Sequence, residues 1–157
     1  MKKIIFALLA IVSLAPASRA ASTQEVIKPI RQFIDGFNKG DEKSAFAAYA
    51  VGDILIVDEF APHSWAGPHA PQDWAAAYDK HAKATGVSDG QVKYGEPTRA
   101  EIEGDVAYVI VPTVYLYKEN GKAMKEEGQL TVVLHAESGA WKISAWTWSG
   151  VKPHPAE

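Results

Sequence analysis

The chain has 157 residues, a formal charge of −3 at pH 7 and no cysteine. Without cysteine the fold can hold no disulfide, no thiol nucleophile and no lipid anchor of the lipobox kind. A mildly acidic chain lacking a Lys/Arg cluster is a poor partner for nucleic acid or for an anionic membrane surface.

Residues 1–20 have the layout of a secretory signal peptide. Lys2 and Lys3 form a positive start, Ile4 to Leu14 an apolar run, and Ser18-Arg19-Ala20 a small-residue cleavage site. The run is about 11 residues, against the ~20 that a membrane-spanning helix needs, so cleavage near Ala20 is expected rather than stable membrane insertion. The sequence therefore predicts a periplasmic or secreted protein. Removing the signal moves the formal charge to about −6. About 137 residues remain, the size of one domain with one core. That domain is expected over 21–150, with a disordered tail at 151–157 that carries Pro153 and Pro155.

The first half reads as helical. Val26, Ile27, Ile30, Phe33, Ile34 and Phe37 recur at helical spacing, and Asn38-Lys39-Gly40 ends the pattern. Ser22 and Glu25 have capping-box spacing, yet Pro29 costs a hydrogen bond in mid-helix. The helix either kinks there or begins there. Asp41 caps a shorter second helix that buries Phe46 and Tyr49, and a strand follows from Ile54 to Asp58. After a loop rich in Pro, His and Gly, Pro71 suits the first turn of a third helix that runs to Thr85-Gly86.

The second half reads as strands, near 91–103, 106–117, 124–136 and 141–149. Gly104-Asp105, Asn120-Gly121 and Ser138-Gly139 separate them as short hairpin turns, of which Asn-Gly is the firmest type I′ signal. Helices followed by an antiparallel meander predict an α+β fold, with the helices on one face of a curled sheet and a cavity at its open end.

Element order and residues together resemble the nuclear transport factor 2-like superfamily, which includes SnoaL-like cyclases and ketosteroid isomerases. The resemblance covers the whole mature chain. Its most specific stretch is Ile30 to Phe60, which matches the family's first helix, Gly-Asp turn, second helix and first strand. Gly139-Ala140-Trp141-Lys142-Ile143 through Trp146-Thr147-Trp148-Ser149 is similar to the family's last strand. The resemblance implies a cone-shaped, curved antiparallel sheet packed on N-terminal helices, of the cystatin-like kind, and pairing as a homodimer through the outside of the sheet. Such a fold hosts many functions and settles none.

Against the ketosteroid isomerase site, Asp58 falls where that family places its proton-abstracting aspartate. Phe33 falls where the oxyanion-stabilising tyrosine would stand, Thr131 where the protonated second donor would stand, and Trp148 matches a pocket tryptophan. Loss of one oxyanion donor costs about 100- to 1,000-fold in rate. The resemblance thus implies a base without its usual partners.

Asp58 and Glu59 are adjacent, so strand alternation sends only one of them inward. The family register favours Asp58, which leaves Glu59 at the rim. A carboxylate at the mouth of an apolar cavity is a candidate base, because desolvation lifts its pKa toward the working range. Trp74, Tyr78, His81 and Thr85 share one face of the third helix, where Tyr78 and His81 offer a donor and a titratable ring or else simply pack. His63, Trp65 and His69 lie on the loop expected to border the mouth, with Trp65 an apolar plug. No histidine pair has metal-ligand spacing, so neither a metal nor another cofactor is expected. Tyr115 and Tyr117 share a strand face with Ala107, Val109, Val111 and Thr113, while His135 goes with Thr131 and Val133. Lys118 to Glu127 reads as a solvated hairpin tip.

Three functions follow. The first is a binding module for a small apolar molecule, with Phe33, His63, Trp65, Tyr115, Thr131 and Trp148 as contacts. The second is an isomerase, cyclase or lyase that uses Asp58 as general base, with His81 and Tyr78 as donors. The third is a homodimeric interaction protein whose pocket is filled by Trp65 and Phe60.

Overall fold

The structure, a computed structural model, describes residues 22–156. The signal-peptide reading of residues 1–20 lies outside them. Helix α1 spans Thr23–Lys39 and starts from a capping box in which the Ser22 N–H donates to the Glu25 carboxylate at 2.7 Å. It runs straight through Pro29, which settles the open question of where it begins. Val26, Ile27, Ile30, Phe33 and Ile34 all bury on that helix, and this packing outweighs the one bond the proline ring removes. Gly40 ends it in the left-handed conformation, at φ 65°. Asp41 then caps α2 (Glu42–Phe46) by accepting from Ser44 N–H at 3.0 Å. The two helices meet where Gly36 lies against Ala45, and a Cβ at Gly36 would fall 2.7 Å from the Ala45 nitrogen.

Strand β1 (Ile54–Val57) leads to a short β2 (Ser64–Gly67), which returns antiparallel to it. Helix α3 (Ala70–Thr85) has Pro71 in its first turn and Gly86 as a left-handed C-cap, as its sequence predicts. The remaining strands are β3 (Val87–Tyr94), β4 (Arg99–Glu103), β5 (Val106–Glu119), β6 (Lys122–Glu137), β7 (Ala140–Gly150) and β8 (His154–Pro155). The order across the sheet is β2-β1-β7-β6-β5-β3, with β4 also on β5 and β8 on β6. All pairs are antiparallel except β1 with β7. The sheet is therefore mixed, and the molecule is an α+β fold with a curved eight-stranded sheet.

Three expectations need correction. The loop after β1 contains strand β2, so Trp65 is a strand residue paired opposite Ile56. The single strand expected over 91–103 is two strands, interrupted at Gly95-Glu96-Pro97-Thr98, where Pro97 lacks the N–H a ladder needs. The tail from 151 is not disordered over its described part. His154 and Pro155 pair with Lys125 and Met124, and His154 Nε2 lies 2.7 Å from a Glu127 oxygen.

Alternation along the two longest strands sets the interior. Ala107, Val109, Val111, Thr113 and Tyr117 are buried on β5, and Leu130, Val132 and Leu134 on β6. The apolar ones from Ala107 to Val111 and from Leu130 to Leu134 meet α1 across one core that also takes in Tyr49, Ile54, Ile56, Ile143 and Trp146. Beside this core an open cavity remains between the helices and the sheet. Among the described residues no helix is long and apolar enough to cross a membrane.

Candidate active site

The open end is a cavity of about 360 Å³ with an aromatic floor. Phe33 meets Tyr49 at 5.5 Å between ring centroids, Trp146 at 5.6 Å and Trp74 at 5.9 Å, while Trp74 stands edge-on to Trp146 at 5.3 Å. The Trp146 indole N–H donates to the Tyr49 hydroxyl at 2.8 Å, so this buried layer leaves neither tip unpaired. Phe33, Phe37, Phe60, Leu130, Trp146 and Trp148 form apolar wall. The cavity is open rather than filled by Trp65 and Phe60.

Asp58 stands on this wall. Ile54 and Ile56 are buried and Leu55 and Val57 exposed, and just past the strand end Asp58 lines the cavity. The parallel ladder of β1 on β7 ends at Val57 beside Thr147, and Asp58 and Trp148 both line the cavity. Both carboxyl oxygens are held. Oδ2 accepts from the Trp74 indole N–H at 2.8 Å, and Oδ1 from the backbone N–H of Glu59 at 2.8 Å. Burial nevertheless holds the carboxyl above the ordinary aspartate range, with Glu126 adding to the rise. The two N–H donors and nearby His81 work the other way without cancelling it.

Glu59 also lines the cavity. Strand β1 ends at Val57, so the alternation that separates neighbouring strand residues no longer applies to Asp58 and Glu59. Burial, then Glu126, then Asp58 push the Glu59 carboxyl up to about 8, against a smaller opposing effect of Trp148.

Helix α3 supplies the opposite side. Tyr78 and His81 line the cavity, with His81 stacked on Phe60 at 5.1 Å. The Tyr78 hydroxyl lies 2.6 Å from that of Tyr115 on β5. Burial raises both phenols above their ordinary range, so both keep their protons. Only one of those two protons can lie between the oxygens, and the other is available to a ligand. A hydroxyl that already accepts a hydrogen bond is also a stronger donor.

The tyrosine pair depends on Gly90, in a stretch of β3 where the register with β5 shifts and Asp89 takes φ 55°. A Cβ on Gly90 would fall 2.7 Å from the Tyr115 hydroxyl and 2.8 Å from that of Tyr78. Gly90→Ala should therefore part the two hydroxyls while keeping the fold. Ultraviolet titration should then show the Tyr115 ionisation moving down, since Tyr115 loses the raising effect of Tyr78, and an unchanged titration would contradict this placement.

The remaining sequence-predicted residues lie elsewhere. Trp65 is buried behind Phe60 at 5.1 Å and is not part of the lining. His63 is exposed, with Nδ1 3.2 Å from the Asp58 carbonyl, and also lies off the lining. Thr131 is on the outer face of β6, between the inward Leu130 and Val132. Placing it in the pocket was a one-residue slip in register, which turns every side chain to the other face.

The residue that reading missed is Glu126. It lies on the inner face of β6, opposite Tyr115, and is 2% exposed. The Tyr117 hydroxyl donates to its Oε1 at 2.8 Å, while its Oε2 has no hydrogen-bond partner. The charged stretch Lys118 to Glu127 is thus not solvated throughout. Counting back by twos from Leu134, Val132 and Leu130 through Gly128 reaches Glu126, so the face it shares was legible in the sequence.

No protein-family model matches the chain, and no curated protein matches it in sequence. Solved structures do. The hexachlorocyclohexane dehydrochlorinase LinA-type3 from Novosphingobium barchaimii LL02 superposes with a TM-score of 0.70 at 15% identity, over 85% of this chain and 88% of that one. A ketosteroid isomerase-like protein from Erwinia carotovora atroseptica SCRI1043 gives 0.64 at 18% identity, over 83% and 97%. A nuclear transport factor 2-like superfamily protein from Salmonella enterica serovar Typhimurium LT2 gives 0.67 at 16% identity, over 86% and 92%. The chain has the nuclear transport factor 2-like fold.

Proposed function

We propose that this domain takes up a small, mainly apolar molecule in its cavity and moves a proton on it, with Asp58 as the base. The observation that carries this reading is the Asp58 carboxyl. It is fixed at both oxygens, faces an aromatic cavity and is held above the ordinary aspartate range by burial. A base so placed is matched to removing a proton from carbon beside a carbonyl or a leaving group. The Tyr78–Tyr115 pair, with one uncommitted proton, and His81 are the groups placed to meet the negative charge that then develops. That two neighbours of the same fold are described as a dehydrochlorinase and as ketosteroid isomerase-like supports a ligand-binding or enzymatic domain.

The same proposal includes export, with cleavage near Ala20. It also includes a homodimer through the outer sheet face, where Leu55 and Val57 are exposed.

The test uses 2-tetralone, an apolar bicyclic ketone with acidic protons beside its carbonyl. In D2O the protein should speed loss of those protons from the NMR spectrum, and Trp74, Trp146 and Trp148 should report binding by fluorescence quenching. Quenching without faster exchange would reduce the domain to a binder and remove Asp58 as a base.

A further inference from the structure

The end of the cavity bounded by Glu59, Tyr117, Glu126 and Trp148 has chemistry that proton transfer at Asp58 does not use. Glu126 is almost wholly buried, and its Oε2 has no hydrogen-bond partner. A buried carboxylate oxygen without a donor is costly, and native proteins seldom leave one so. Glu59 lines the same cavity, and Glu126 adds to the rise of its carboxyl. Two carboxyls facing each other are acceptors only, unless a proton lies between them or a cation lies against them.

The surroundings offer no cation of their own. Asp58, Glu59, Glu119 and Glu126 all line the cavity, whereas no lysine or arginine does. From the packed elements, Asp58 faces the pair from the end of β1, His81 and Tyr78 from α3, and Tyr115, Tyr117 and Glu119 from β5. His81 is thus the one side chain there able to carry positive charge. A metal ion is a poor candidate, since among the described residues no group of three or more His, Asp or Glu could hold one. The walls suit an organic cation instead. Tyr115 stacks on Tyr117 at 4.7 Å, and Trp148 lines the same cavity, giving π-faces of the kind that attract ammonium groups.

We propose that the cavity's ligand carries a protonated amine, seated between Glu59 and Glu126, with its apolar body on the aromatic floor. The ammonium supplies the donor that Glu126 Oε2 lacks and balances the negative charge of the pair. This rests on the reading of the cavity as a small-molecule site, and it does not depend on Asp58 acting as a base.

Two probes of one shape test it on the intact protein by calorimetry at pH 7: 2-naphthylmethylamine, which is protonated there, and neutral 2-naphthalenemethanol. The ammonium should bind roughly 10- to 100-fold more tightly, the range of a hydrogen bond to a charged group. Glu126→Gln keeps an acceptor for Tyr117, and Glu59→Gln keeps the side-chain shape. Each should erase most of that preference and leave alcohol affinity within about twofold. Equal or tighter binding of the alcohol overturns the amine site and leaves the cavity reading standing. So does a preference that survives both substitutions. If neither probe binds, both readings fall together.

Discussion

Asp58→Asn should abolish the catalysed exchange of 2-tetralone protons, lowering it roughly 100- to 10,000-fold, while the folded state and probe binding survive. The amide keeps the size of the carboxyl, and its one oxygen can still accept from either Trp74 or the Glu59 backbone, the two donors that anchor the side chain, while its NH2 group loses the other bond. What it loses is the charge and the basic lone pair. Exchange is read by NMR in D2O and binding by tryptophan quenching on the same sample. A variant that binds 2-tetralone and exchanges it at the wild-type rate removes Asp58 from the mechanism.

The second large effect concerns stability against pH. The Glu59 carboxyl titrates near 8 in the folded chain, compared with an ordinary value of 4.5. Below about 4.5 the group is protonated in folded and unfolded chains alike, and its contribution to stability is complete. Between about 4.5 and 8 the unfolded chain gives up this proton while the folded chain retains it, so stability falls as pH rises. Above about 8 the contribution is gone. The raised Asp58 carboxyl acts with the same sign. Glu127, lowered to about 2 chiefly by His154, acts with the opposite sign but in a window that closes near 4.5. Glu59 is exposed to solvent. With that exposure discounted, the loss from pH 5 to pH 8 should be on the order of 1–2 kcal/mol. Urea denaturation at several pH values measures it. Glu59→Gln should flatten the slope, and a wild-type protein that grows more stable from pH 5 to pH 8 would contradict the assignment.

The costly carboxyls and the proposed amine site describe one arrangement. Acidic groups that weaken the empty protein at neutral pH are those a cationic ligand would satisfy. Ligand binding should therefore also remove much of the pH dependence of stability.

Much of this arrangement can be read along the chain, and the parts that cannot have identifiable causes. The capping box at Ser22, Pro71 at the start of α3, Gly86 at its end and the Asn120-Gly121 turn are local signals that tertiary structure leaves in force. Strand β2 was hidden because four residues between prolines and glycines show no convincing alternation. Pro29 misled in the opposite direction, since the cost of a mid-helix proline is visible in sequence and the packing that offsets it is not.

At the cavity the division is sharper. Asp58, Tyr78, His81, Tyr115, Phe33 and Trp148 lie together on its wall. Each sits on an element whose inward face shows in the period of its own apolar neighbours. Thr131 was chosen by family position against that period, and strand β6 turns it outward. Glu126 was passed over because acidic and basic residues surround it, a pattern that usually means solvent. How far a sheet curls decides whether a charged hairpin arm faces water or cavity, and no local pattern carries that curvature. Glu59 escaped the alternation rule for a simpler reason, since the strand ends two residues before it.

The central claim is that Asp58 is an ionisable group of a ligand cavity, and carbon-13 NMR of its side-chain carboxyl measures this directly. In the free protein the carboxyl should titrate with a midpoint above the ordinary aspartate range. Saturating 2-tetralone should move that midpoint further. A midpoint at the ordinary aspartate value, unchanged by the probe, would contradict the account.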